Sequence, residues 1–136
     1  MGGAMPAKSK LTPVEWEIME AVWELGGSPS VREVLEHAFP AGDKAYTTVQ
    51  TIMNTLEKKG MLRRRKKGLV NFYTPTRSRE DMVKKEMRGI VSRIFDGSIP
   101  ALANYLIRSG DLSAEEIEDI KRELDSRVEN MKRKKS

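Results

Sequence analysis

Lys44 to Lys67, KAYTTVQTIMNTLEKKGMLRRRKK, changes character half-way along, and that change decides the fold. Val49, Ile52, Met53 and Leu56 recur at i, i+3, i+4 and i+7, the period of a helix with one face in a core. At 100° per residue Thr47, Thr51, Asn54 and Lys58 fall on the opposite face, with Thr48 and Gln50 on its flanks. Short hydrogen-bonding side chains on an outward helix face stabilise a fold poorly, but they suit the base edges of a major groove. Thr47, Thr48, Thr51 and Thr55 are also weak helix formers at positions where Lys, Glu or Ala would serve an idle surface better. A helix is predicted over 45–59, with Gly60 as its left-handed stop. Five cations, Arg63, Arg64, Arg65, Lys66 and Lys67, then run into Gly68.

Past Gly60 the pattern is strand-like. Met61 to Arg65 and Leu69 to Thr74 read as two strands around a Lys66-Lys67-Gly68 turn, and Pro75 ends the second. Upstream, Thr12-Pro13-Val14-Glu15 is a capping box with proline at the first helical position. The helix it opens carries Val14, Ile18, Val22 and Leu25 in its stripe and ends at Gly26-Gly27. Trp16 and Trp23 on it are assigned to core packing. Ser30-Val31-Arg32-Glu33 is a second capping box, opening a short helix that Phe39-Pro40 closes. Two helices, a polar-faced third and a basic hairpin make a winged helix-turn-helix. Base-edge contacts are assigned to Thr47, Thr48, Gln50, Thr51 and Asn54, and phosphate contacts to Lys44, Tyr46 and Arg63 to Lys67.

Charge distribution supports a nucleic-acid partner. The 136-residue chain carries a net charge of +5, but between Asp43 and Arg79 ten cations face two acids, a net +8, leaving −3 for the remainder. A polyanion footprint is concentrated in this way. The chain has no cysteine and one histidine, His37, which leaves no plausible zinc site, no disulfide and no thiol nucleophile. His37 is read as a surface residue. No nucleophile–base pair, phosphate-cradling glycine loop or dinucleotide fingerprint is visible, so neither an enzyme nor a cofactor is expected. No apolar run reaches the ~18 residues of a membrane span, so no membrane insertion is expected, and a cytoplasmic location is.

Beyond Pro75 the periodicity is helical only. Ser78-Arg79-Glu80-Asp81 caps a helix striped by Met82, Met87, Ile90, Val91, Ile94 and Phe95, which Asp96-Gly97-Ser98 breaks. Pro100 starts a short helix with Leu102, Ala103, Leu106 and Ile107. Ser113-Ala114-Glu115-Glu116 opens a last helix with Ile117, Ile120, Leu124, Val128 and Met131 on one side. Three short amphipathic helices cannot close a useful core alone. Either they fold back on the winged helix or they pair with a second copy; pairing is favoured, and a dimer seam is assigned to Ile90, Ile94, Leu102, Leu106, Ile117, Ile120, Leu124 and Val128. The domains are read as 8–77 for DNA binding and 78–131 for dimerisation. Residues 1–7 and 132–136 are expected to be disordered, with Met1 to Ala4 an artificial leader.

Three blocks, LTPVEWEIMEAVWELG, YTTVQTIMNTLEKKGMLRRRKKGLVNFYTP and SIPALANYLIRSGDLSAEEIEDIKREL, resemble the penicillinase repressor family, the BlaI/MecI/CopY group, over Leu11 to Leu124. TTVQT…LEKKG…YTP is the most specific part. The resemblance implies a homodimeric winged-helix repressor of inverted-repeat DNA operators, joined by its C-terminal helices. In the beta-lactam branch it implies relief through a membrane sensor-protease pathway, with a cut between Asn and an aromatic residue. Asn104-Tyr105 matches that position, with Tyr where Phe is usual. The copper-responsive branch uses paired cysteines, which this chain lacks. The rival reading is a winged-helix scaffold using its basic face for protein or RNA.

Overall fold

The structure, a computed structural model, describes residues 11–135. The Met1 to Ala4 leader, the disorder expected over 1–7 and the start of the 8–77 domain fall outside the described residues. Element order is α1 (Pro13–Leu25), α2 (Val31–Ala38), α3 (Tyr46–Lys58), β1 (Leu62–Lys67), β2 (Val70–Pro75), α4 (Arg79–Ile94), α5 (Ile99–Arg108) and α6 (Ala114–Lys135). Among the described residues six helices and one antiparallel hairpin make a mainly α fold with a winged helix at its front. The chain divides into two compact units within α4, between Glu86 and Met87. The first reaches so far because Met82 is buried in its core.

Local chemistry sets where the helices begin. Thr12 Oγ1 accepts from the Glu15 N–H at 3.2 Å while Glu15 Oε1 accepts from the Thr12 N–H at 2.8 Å. Ser30 and Glu33 repeat this reciprocal pair, as do Ser113 and Glu116. Ser78 and Ser98 each cap through one bond, to the N–H of Asp81 and of Ala101.

The core of the first unit lies between α1, α2 and α3 and is closed by the hairpin. Ile18, Met19 and Val22 of α1, Val34 of α2 and Val49, Met53 and Leu56 of α3 are fully buried. Each such side chain is worth ~1.5–3 kcal/mol of transfer free energy. Trp16 and Trp23 pack on this core from its edge, their rings 5.8 Å apart. Trp23 also donates its indole N–H to the Arg77 carbonyl at 2.9 Å, and Arg79 pairs with Glu20 at 2.9 Å. The chain leaving the hairpin is thereby tied back to α1.

In the hairpin, Leu62 pairs with Pro75, Arg64 with Tyr73 and Lys67 with Val70. The loop is therefore two residues, Gly68-Leu69, and not the Lys66-Lys67-Gly68 turn read from sequence. Gly68 has φ 65°, and a glycine with positive φ at the first central position is the II′ pattern that matches strand twist. An all-cationic run carries no apolar alternation, so the sequence offers no register for it. At the other end of the chain, Lys132 to Lys135 continue α6 instead of fraying. Lys and Arg are good helix formers and complement the helix C-terminal dipole.

One charge is almost fully inside: Glu15, 5% exposed, with Lys59 Nζ 2.8 Å from its carboxylate. Burial alone raises the carboxyl pKa, but the Lys59 hydrogen bond, the Thr12 N–H and the Lys59 charge outweigh it. The folded value is held below the usual one. A depressed carboxyl pKa stabilises the fold above the unfolded value and loses that contribution as pH falls through the folded one. Glu15→Gln keeps the capping geometry and removes the charge. Urea unfolding should show it about 1–2 kcal/mol less stable at neutral pH, with the gap to wild type closing below about pH 4.5.

Candidate nucleic-acid interface

α3 turns its apolar stripe inward and leaves Tyr46, Thr47, Thr48, Thr51 and Lys58 at the surface, with Gln50 half-buried. Its first turn has no side-chain cap, because Ala45 stands at the N-cap. α1 and α2 both have capping boxes, so α3 alone of these three presents its first N–H groups open. Two cations are posed by rings nearby. Lys44 Nζ lies 5.7 Å from the Phe39 ring centroid, and the Arg32 guanidinium 5.3 Å from that of Tyr46. Sequence reasoning does not single out Arg32, because its place over Tyr46 depends on how α2 meets α3.

Asn54 is different from its neighbours. It is half-buried, and its Oδ1 accepts a 2.7 Å hydrogen bond from the Tyr73 hydroxyl of β2. Tyr73 is fully buried, and burial pushes its phenol above the usual value against the lowering influence of Arg64. The hydroxyl therefore stays protonated and donates. Its backbone N–H also reaches the Pro29 carbonyl at 2.9 Å, and Ser28 bonds Thr74 at 2.6 Å. One phenol thus joins α3, the hairpin and the loop before α2. The oxygen of Asn54 is engaged in holding the wing, which separates this residue from the exposed threonines.

All five cations of β1 are exposed. Strand alternation divides them: Arg64 and Lys66 share a face with Leu62 and Tyr73, whereas Arg63, Arg65 and Lys67 point the other way. Arg64 on the α3 side pairs with Glu57 at 3.6 Å. On the wing, Arg65, Lys66 and Lys67 line a shallow depression with Ser28 and Phe72. The wing tip itself is apolar, with Leu69 96% exposed.

The family model described as the penicillinase repressor matches residues 11–126. The chain belongs to the penicillinase repressor family. Among relatives, the penicillinase repressor of Bacillus licheniformis is 27% identical over 111 residues, covering 82% of this chain and 86% of the relative. The methicillin resistance regulatory protein MecI of Staphylococcus aureus is 24% identical over 112 residues, covering 82% and 90%. The solution structure of the DNA binding domain of the repressor BlaI has 30% identity and a TM-score of 0.47, covering 53% of this chain and 87% of that one.

The remaining assigned residues of this family member lie in the second unit. Ile90, Leu102 and Ile120 are half-buried, while Ile94, Leu106, Ile117, Leu124 and Val128 are exposed. Asn104 and Tyr105 are exposed on α5, where the Tyr105 ring lies 6.0 Å from that of Phe95. His37 sits on the surface of α2 with Nε2 2.8 Å from Glu24. Among the described residues no helix is long and apolar enough to cross a membrane.

The Asn54–Tyr73 bond should appear in stability. Tyr73→Phe leaves a half-buried amide oxygen unpaired and should cost about 1–2 kcal/mol in urea unfolding. Thr51→Ala, on the exposed face, should change stability by less than about 0.5 kcal/mol.

Proposed function

We propose that this chain is a cytoplasmic transcriptional repressor, without enzymatic activity, that binds an inverted-repeat DNA operator as a homodimer. The observation that carries the reading is the exposed polar face of α3 beside a hairpin whose first strand bears five solvent-facing cations. Thr47, Thr48, Gln50 and Thr51 would meet base edges in the major groove. Lys44, Tyr46, the open first turn of α3 and Arg63 to Lys67 would take phosphates on either side. In keeping with the face split on β1, Arg64 and Lys66 would take the backbone nearest α3, and Arg63, Arg65 and Lys67 that on the far side of the wing. Asn54 serves mainly by fixing the angle between helix and wing.

A single reading helix contacts too few base pairs for a useful specificity ratio, so two copies are needed. Support for the pair comes from the second unit, which leaves Ile94, Ile99, Leu106, Leu124 and Val128 exposed. Relief by cleavage between Asn104 and Tyr105, through a membrane sensor-protease pathway, fits the exposure of both residues. Their bond lies within α5, so a local unwinding must come first.

Footprinting on the DNA upstream of its own gene, at several salt concentrations, tests the reading. A protected two-fold site and a steep salt slope are expected; an unprotected region with no salt dependence overturns it. Lys66→Ala should weaken operator and random DNA alike and reduce the slope by about one. Thr51→Ala should instead lose about 1–3 kcal/mol at one base position only.

A further inference from the structure

The last helix carries two patterns that its own unit does not use. Ile117, Ile120, Leu124, Val128 and Met131 succeed one another at intervals of three, four, four and three, a spacing that reads the same in both directions about Leu124. At 100° per residue they occupy an arc of about 80°. Ile117 is 39% exposed, Leu124 56%, Val128 48% and Met131 56%. Within its unit α6 packs extensively on neither α4 nor α5. The second half of the stripe, Val128 and Met131, lies past the residues that match the family.

Charge along α6 is divided one residue past that centre. Residues 114–125 hold six acids and two bases, a net −4, and residues 126–135 hold five bases and one acid, a net +4. A helix dipole favours acids in the first turn and bases in the last, but it does not produce an apolar stripe symmetric about a point one residue from the charge boundary.

We infer that α6 pairs antiparallel with α6 of a second copy, about a two-fold axis at Leu124. In that register Leu124 meets its own equivalent, Ile120 meets Val128, and Ile117 meets Met131. The acidic half of each helix lies along the basic half of the other, and on the flanks of the seam Glu118 falls beside Lys132 and Glu123 beside Arg127. A parallel pair would instead set +4 beside +4 and −4 beside −4. The inference rests on the homodimer of the proposed function and adds its geometry.

The chain contains no cysteine, so any introduced thiol is the only one. Leu124→Cys should cross-link between copies with a short bis-maleimide. Ile117→Cys alone should not, because its equivalents would lie about 21 Å apart along the seam. Ile117→Cys with Met131→Cys should cross-link efficiently. A dimer by sedimentation in which Leu124→Cys stays uncoupled, or in which Ile117→Cys couples to itself, overturns the antiparallel seam and leaves the dimer standing. A monomer overturns both.

Charge reversal gives a second measurement that leaves the apolar seam intact. Arg127→Glu with Lys132→Glu should weaken dimerisation about tenfold, and adding Glu118→Lys and Glu123→Lys should restore it. If only the helix dipole mattered, the fourfold variant would be the worse of the two, and that result overturns the pairing.

Discussion

A buried phenol governs how the first unit presents its charged face. Tyr73 contributes a hydroxyl to Asn54 on α3 and a backbone N–H to Pro29 before α2, while its strand pairs with the cationic β1. A two-stranded hairpin alone is at best marginally stable in water, and this one carries five like charges on one strand. Those charges repel one another, and only Leu62 of β1 is buried. The hairpin persists because its partner strand is anchored at Tyr73. The ion pair between Arg64 and Glu57 adds a weaker, solvent-screened tether on the same side.

The rest of the first unit is arranged to keep α3 still. Its buried stripe fixes rotation about the helix axis, and Lys59, just past its end, is held by Glu15 of α1. Rotation and end-point are both set, so the exposed threonines have a defined direction in space. Rigid placement of a polar face lets binding energy go into contact rather than into ordering side chains. The second unit is built on the opposite principle. Its helices are capped locally and leave their apolar stripes open to water, an arrangement that favours a partner.

Much of the fold and of the polar face is legible in residue patterns, and the reasons for the rest are specific. The reciprocal caps at Thr12, Ser30 and Ser113 are local interactions, so four residues suffice to read them. The α3 stripe is equally plain, since Val49, Met53 and Leu56 keep to the helical period. The turn at Gly68-Leu69 is misplaced from sequence because RRRKK has no alternation from which a register could be read. Asn54 looks like another outward polar residue; only the tertiary approach of Tyr73 distinguishes it. Arg32 escapes notice for a related reason, since its ring partner Tyr46 lies across the turn between two helices. Helix through Lys135 goes unread because fraying is a property of ends in general, whereas persistence depends on which side chains occupy them.

The two-residue loop at the wing tip restricts how this hairpin can vary. Shifting the pairing by one position would turn one strand over, sending Tyr73 out to water or bringing Arg63 and Arg65 against the body of the protein. Loss or gain of a single residue in the tip must therefore be taken up in the turn, as a three-residue loop with a bulge does, or it inverts one strand. Lengthening by a matched pair, one residue on each strand, preserves sidedness and merely extends the reach. Drift in the paired strands should then proceed by substitution or by matched steps, with odd changes confined to the turn, a parity rule written into the pleat.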